Sequence, residues 1–174
     1  MKKVLIVVDM QNDFITGALG SAEAQAIVPN VVEKVRNWPT TNGIVYFTRD
    51  THNFNYWNTL EGKKLPIQHC IKNSAGWCII NELLRYAENA EVINKTTFGY
   101  NNWVIECGLN EEVEFELCGV CTDICVISNA LALRMFYPNA KITVDASCCA
   151  GVTPEKHAAA LEVMKSCQID VINE

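Results

Sequence analysis

The chain has 174 residues, 49% hydrophobic and 20% charged, and its 14 basic and 20 acidic residues give a formal net charge of −6. That length predicts one domain spanning 1–174, able to bury about 70% of its extended surface without disulfides or a structural metal. Mild acidity, no Lys/Arg cluster and no apolar run near the roughly 18 residues of a membrane span argue against nucleic acid or membrane as the partner. Nine cysteines, an odd count, cannot all pair within the chain, and MKKVLIVVDMQND reaches Asp9 too early for a signal peptide. The expectation is a soluble cytoplasmic protein with mostly free thiols.

Residues 4–10, VLIVVDM, are a β-branched apolar run without alternation, the pattern of a strand covered on both faces. Pro29 suits a first helical position, with Val31, Val32, Val35 and Trp38 following on one face. A second strand is predicted over 44–48. The stretch 50–75, rich in Asn, Thr, Lys and aromatics, has no period and reads as a long functional loop. A helix over 77–87, a strand over 91–94 and a short helix over 101–107 follow, then a strand over 113–118. Residues 122–137 are apolar almost all round and stop before Pro138, as in a buried helix. A strand over 142–145, a helix capped by Thr153 and Pro154 and running to about Cys167, and a short strand over 169–172 complete the chain. Strands alternating with helices predict an α/β, three-layer Rossmann-like fold with a parallel six-stranded sheet and helices on both faces.

In open parallel sheets, ligands bind beyond the carboxyl ends of the strands, where strand order reverses. Asp9 ends the first strand, Asp50 and His52 the second and Lys95 the third, and Cys118 through Cys125 follow the fourth. In the common doubly wound order, strands one and four are neighbours, so Asp9 faces the cysteine segment with Lys95 behind. A free thiol is mostly protonated at neutral pH and needs a base or a positive field to act as a nucleophile. Cys125, in the first turn of the buried helix, stands where unpaired amides favour negative charge and can receive an oxyanion. Asp9, Lys95 and Cys125 therefore suit acyl transfer. Against this stands the structural reading, in which strand-end charges are solvated termini and a cysteine in an apolar helix is core. Cys118, Cys121, Cys148 and Cys149 read as packing residues, although Cys118 and Cys121 spell the C-x-x-C of redox proteins. His157 reads as a surface residue.

Asp50 and His52, two apart in an extended segment, point to one side. With His69 and Glu61 they make a two-histidine, two-carboxylate set that suits zinc, iron or manganese.

VVDMQNDF (7–14), TRDTH (48–52), PIQHC (66–70), NKTTFG (94–99) and GVCTDICV (119–126) resemble, in order and spacing, the motifs of the nicotinamidase and isochorismatase-like cysteine hydrolases over nearly the whole chain. The resemblance implies a catalytic triad of Asp9, Lys95 and Cys125, an oxyanion hole of the backbone amides of Cys121 and Cys125, and a non-proline cis peptide between Val120 and Cys121. It implies a divalent metal, zinc above all, on Asp50, His52 and His69, with Glu61 matching the variant that uses a glutamate. Retention of the cysteine and the metal set favours the nicotinamidase-related amidase branch. Phe14 matches one aromatic that sandwiches a pyridine ring. Two other expected aromatics are replaced by Pro66 and Asn102, with Tyr100 or Trp103 as substitutes; Tyr100 is the expected substrate contact. The resemblance also suggests a homo-oligomer. The expected activity is release of ammonia from a small amide, nicotinamide to nicotinate in the first instance. A related hydrolase of carbamoyl or other non-pyridine amides, and a non-enzymatic thiol-redox or binding protein, are the alternatives.

Overall fold

A computed structural model describes residues 1–108 and 112–174. Six parallel strands form one sheet in the order β3-β2-β1-β4-β5-β6. They are β1 (Lys2–Val8), β2 (Gly43–Asp50), β3 (Glu91–Lys95), β4 (Val113–Val120), β5 (Lys141–Ala150) and β6 (Asp170–Ile172). β1, the first strand made, is central because Val4 to Val8 offer apolar surface to both faces, and all five are fully buried. It pairs with β4 in the register Val7↔Cys118 and Val8↔Gly119.

The helices are α1 (Asn12–Ile15), α2 (Ala22–Ala26), α3 (Val28–Arg36), α4 (Leu60–Lys64), α5 (Asn81–Ala87), α6 (Trp103–Cys107), α7 (Ile127–Phe136) and α8 (Pro154–Ser166). α3 packs with α5, whereas α7 packs with α6 and α8, giving two helix layers with the sheet between them. The three-layer expectation holds, strand order included.

Several local expectations do not hold. β1 stops at Val8, because Asp9 turns out of the sheet with φ +50° and directs its N–H to the Thr48 hydroxyl. Trp77 to Ile80 are not helical. Ile79 instead makes an isolated bridge to Gln11, and the Trp77 indole donates to the Thr51 hydroxyl at 2.8 Å, so tertiary partners override the local period. The stretch expected as loop contains a 3₁₀ turn at Tyr56–Asn58 as well as α4. The helix expected from residue 122 begins as a π-helical turn, Thr122–Val126, before α7. His157 is half-buried rather than a surface residue, its Nδ1 2.8 Å from the hydroxyl of the fully buried Thr122.

Gly119 is the one residue type its position accepts. Its φ is +115°, and a Cβ there would lie 2.1 Å from the carbonyl oxygen of Val8. The close approach of β4 to β1 just below the cysteine segment depends on this missing side chain. The peptide bond Val120–Cys121 that follows is cis.

Candidate active site and metal group

The strand ends bring the scattered charged residues together. Lys95, at the end of β3, is buried with its Nζ 2.6 Å from Asp9 Oδ2, 3.9 Å from Asp50 Oδ1 and 3.5 Å from Cys125 Sγ, to which it donates. Thr48 donates to Asp9 Oδ1 at 2.6 Å. Asp9, Lys95 and Cys125 therefore form one buried cluster over the β1–β4 junction, with the thiol at the end of the π-helical turn.

Burial is the largest influence on each member. It raises the Asp9 carboxyl, against the charge of Lys95, which lowers it. It raises the Cys125 thiol far above the ordinary range, and the Asp9 charge adds to that rise. Burial works to lower Lys95, but the charges of Asp9, Cys125 and Asp50 more than reverse it and hold the ammonium protonated. The cluster thus holds its thiol protonated beside the Asp9–Lys95 contact, and Asp9 is the neighbouring group to which the thiol proton can pass.

A second group adjoins it. Ligand atoms of Asp50, His52, Glu61 and His69 all lie within 4.8 Å of one another. Asp50 comes from the end of β2, and its backbone is bracketed by Gln11, whose Oε1 accepts from the Asp50 N–H and whose Nε2 donates to its carbonyl. Glu61 is in the first turn of α4, which is capped by Thr59 accepting from the Gly62 N–H at 2.9 Å. His69 Nδ1 sits 2.8 Å from the Ile67 carbonyl oxygen. A carbonyl oxygen only accepts, so Nδ1 donates there and Nε2 is the ring nitrogen that faces Asp50 and Glu61. His52 Nε2 is 3.0 Å from Asp50 Oδ2 yet, buried, makes no hydrogen bond. An orphaned imidazole nitrogen beside a second aimed imidazole and two carboxylates fits a divalent metal, with zinc, iron and manganese all compatible with these donors. Burial raises the Asp50 carboxyl, but its contacts with His52 and His69 and the charge of Lys95 outweigh this and hold it below the ordinary range.

Both groups meet at a cavity of about 420 Å³ whose walls include Asp50, Glu61, His69, Cys121 and Cys125. Phe14 lines it, as expected, and its ring lies 5.6 Å from that of His69. Tyr100 does not line it. Its hydroxyl donates to Glu106 and its ring packs edge-on to the fully buried Trp103, while the exposed Phe98 lines the cavity in its place. The sequence reading also passed over Tyr56, a fully buried ring 4.9 Å from His52 and 5.2 Å from His69 that donates to the Leu65 carbonyl. Nothing in its local pattern separates it from the other aromatics of that stretch. Thr48 carried a usable signal, since it alternates with Asp50 on the same side of β2.

Cys118 is fully buried, and Cys148 and Cys149 beside it help to push its thiol up; Cys121 is raised to about 12 by burial. All nine cysteines are free.

Proteins of known structure share the fold. A pyrazinamidase of Pyrococcus horikoshii in complex with zinc superimposes with TM-score 0.82 at 28% identity, covering all of both chains. The nicotinamidase/pyrazinamidase PncA of Bacillus subtilis does so with TM-score 0.85 at 28% identity, covering 99% of this chain and 100% of that one. Among curated sequences, an uncharacterized isochorismatase family protein PncA of Bacillus subtilis is 30% identical over 92% of this chain and 93% of its own. A probable inactive nicotinamidase of Arabidopsis thaliana is 30% identical over 93% and 87%. The isochorismatase domain description matches residues 3–174, and the chain belongs to that family.

Proposed function

We propose that the protein is a cysteine-dependent amidohydrolase that releases ammonia from a small amide through a thioester, in the manner of nicotinamide hydrolysis to nicotinate. The observation that carries the reading is the buried contact of Lys95 with both Asp9 and Cys125, of which Cys125 lines the cavity. Asp9 takes the thiol proton as Sγ attacks the carbonyl carbon. The oxyanion is received by the amides of Cys121 and Cys125, each such donor being worth about 3 kcal/mol where one has been removed. Lys95 stays protonated beside Asp9 and Cys125 throughout. Collapse breaks the carbon–nitrogen bond, with Asp9 returning the proton to the departing ammonia. Asp9 then activates a water that hydrolyses the thioester and restores the thiol. A divalent ion on Asp50, His52, Glu61 and His69 would supply Lewis acidity and an anchor for a ring nitrogen or equivalent lone pair.

Ammonia release from nicotinamide, pyrazinamide and carbamoyl compounds, measured for the native protein and Cys125→Ala, tests the reading. The expected result is release by the native protein and none by the variant, at unchanged thermal midpoint. Equal release by both, or none from any amide by the metal-loaded native protein, overturns it. The second outcome would place the chain beside its probable inactive relative.

A further inference from the structure

We infer that the cavity has a second polar pole, at Lys156, that receives a carboxylate of the substrate, so that the preferred substrates are small amides bearing an anionic group. The inference rests on the amidohydrolase reading of the same cavity.

The sheet order sets the geometry. Asp50 ends β2, on one side of the β1–β4 junction where Cys125 sits, and Gly151 and Val152 follow β5 on the other side. With strands about 4.8 Å apart, the three steps from β2 to β5 span about 14 Å. The nucleophile thus lies between a metal-binding end and an end formed by the β5–α8 connection, and Lys156 lines the cavity at that second end. The other charged wall residues, Asp50 and Glu61, belong to the metal group. Phe14, Phe98 and Ile124 are among the apolar residues of the cavity wall.

Lys156 is exposed, and it is the one lysine or arginine among the residues that line the cavity. It occupies the first turn of the 13-residue α8, where the helix dipole disfavours a cation. In a chain with six more acidic than basic residues, its ammonium makes no ion pair among the described residues; Lys2, Lys63, Lys64, Lys72 and Lys141 make none either, but none of those five lines the cavity. A cation placed against the local field, unpaired and facing a cavity, is matched by an anion brought by the ligand. The cavity volume lies in the range of small-molecule pockets. A neutral amide engages one end; an amide extended by a carboxylate engages both.

The test compares kcat/KM for neutral amides, nicotinamide and pyrazinamide, with that for carboxylated amides, succinamate and N-carbamoylglycine, using metal-loaded native protein, Lys156→Met and Lys156→Glu. The expected result is preference for a carboxylated amide. In Lys156→Met the ratio of carboxylated to neutral kcat/KM falls about tenfold, through KM, and in Lys156→Glu it falls further. Preference for the neutral amides, or a ratio unmoved by both substitutions, overturns the inference. If no amide is hydrolysed the amidohydrolase reading fails, and titration of Cys125→Ala with succinamate decides the subsite separately. Binding weakened about tenfold by adding Lys156→Met supports it; binding equal in the two proteins, or none, overturns it.

Discussion

Asp9 has two carboxylate oxygens in different company: Oδ1 accepts from Thr48, and Oδ2 faces the ammonium of Lys95. Asp9→Asn keeps the shape and removes both the proposed base and the counter-charge of Lys95. Ammonia release is expected to fall by about 10²–10⁴-fold. Urea unfolding is expected to show a loss of about 3–5 kcal/mol, because a buried ammonium is left without its partner. Adding Lys95→Met should recover part of that stability and none of the activity. Full activity in Asp9→Asn would show that the proton goes elsewhere. At this scale Asp9, Lys95 and Cys125 were legible as strand-end and helix-start residues. For Thr48 the sequence held only its place on the same side of the strand as Asp50, and its contact with Asp9 needed the three-dimensional register.

At the scale of elements, two ties position the helices. Lys34 on α3 makes ion pairs with Glu116 of β4 and, at 2.6 Å, with Asp145 of β5. Burial opposes the charged forms, but the mutual contacts win, raising Lys34 above its ordinary 10.5 and lowering Asp145 below its ordinary 3.8. A raised lysine stabilises below 10.5 and loses that contribution as pH climbs toward its folded value. A lowered carboxylate stabilises above 3.8 and loses its contribution as pH falls toward its folded value. The tie therefore acts between these limits. Lys34→Met is expected to cost about 2–3 kcal/mol at pH 7 by urea unfolding, and much less at pH 3; an equal cost at both would contradict the assignment. The second tie joins α8 to the π-helical turn through His157 and Thr122, beside the Asp123 carboxylate, which accepts from the Val152 N–H at 2.9 Å. His157→Ala leaves a buried hydroxyl unpaired, for an expected loss of about 1–3 kcal/mol, and His157→Asn, which retains a polar atom near the place of Nδ1, should restore most of it. Neither tie shows in the sequence, since each spans elements whose packing no local period encodes. The same reason explains why Trp77 to Ile80 looked helical: their apolar spacing fits a helix, and the bridge to Gln11 and the bond to Thr51 decide otherwise.

For the whole molecule, the clearest lever is the metal group. An ion that binds only the folded chain stabilises it by about 4 kcal/mol at a thousandfold excess over Kd. Adding zinc to chelator-treated protein should raise the thermal midpoint by several degrees, and His52→Ala should abolish the rise. An unaltered midpoint in the native protein would argue against a resident ion. β1 was legible as an unbroken apolar run, and α8 because Thr153 and Pro154 mark its start, whereas the neighbouring of β1 and β4 followed only from the common doubly wound order. The wall of the cavity was less so. Tyr100 and Phe98 lie two apart after Lys95, and only the packing of Tyr100 on Trp103 leaves Phe98 to face the cavity.

The neighbouring positions of β1 and β4 bear on how the protein comes into being. Asp9, the four metal-group residues and Lys95 have all been synthesised before the fourth strand, whereas Cys125 arrives only after it. A nascent chain can gather its donors early, but its thiol meets a base only when β4 has docked along β1, so the reactive pair is armed by the same event that completes the centre of the sheet.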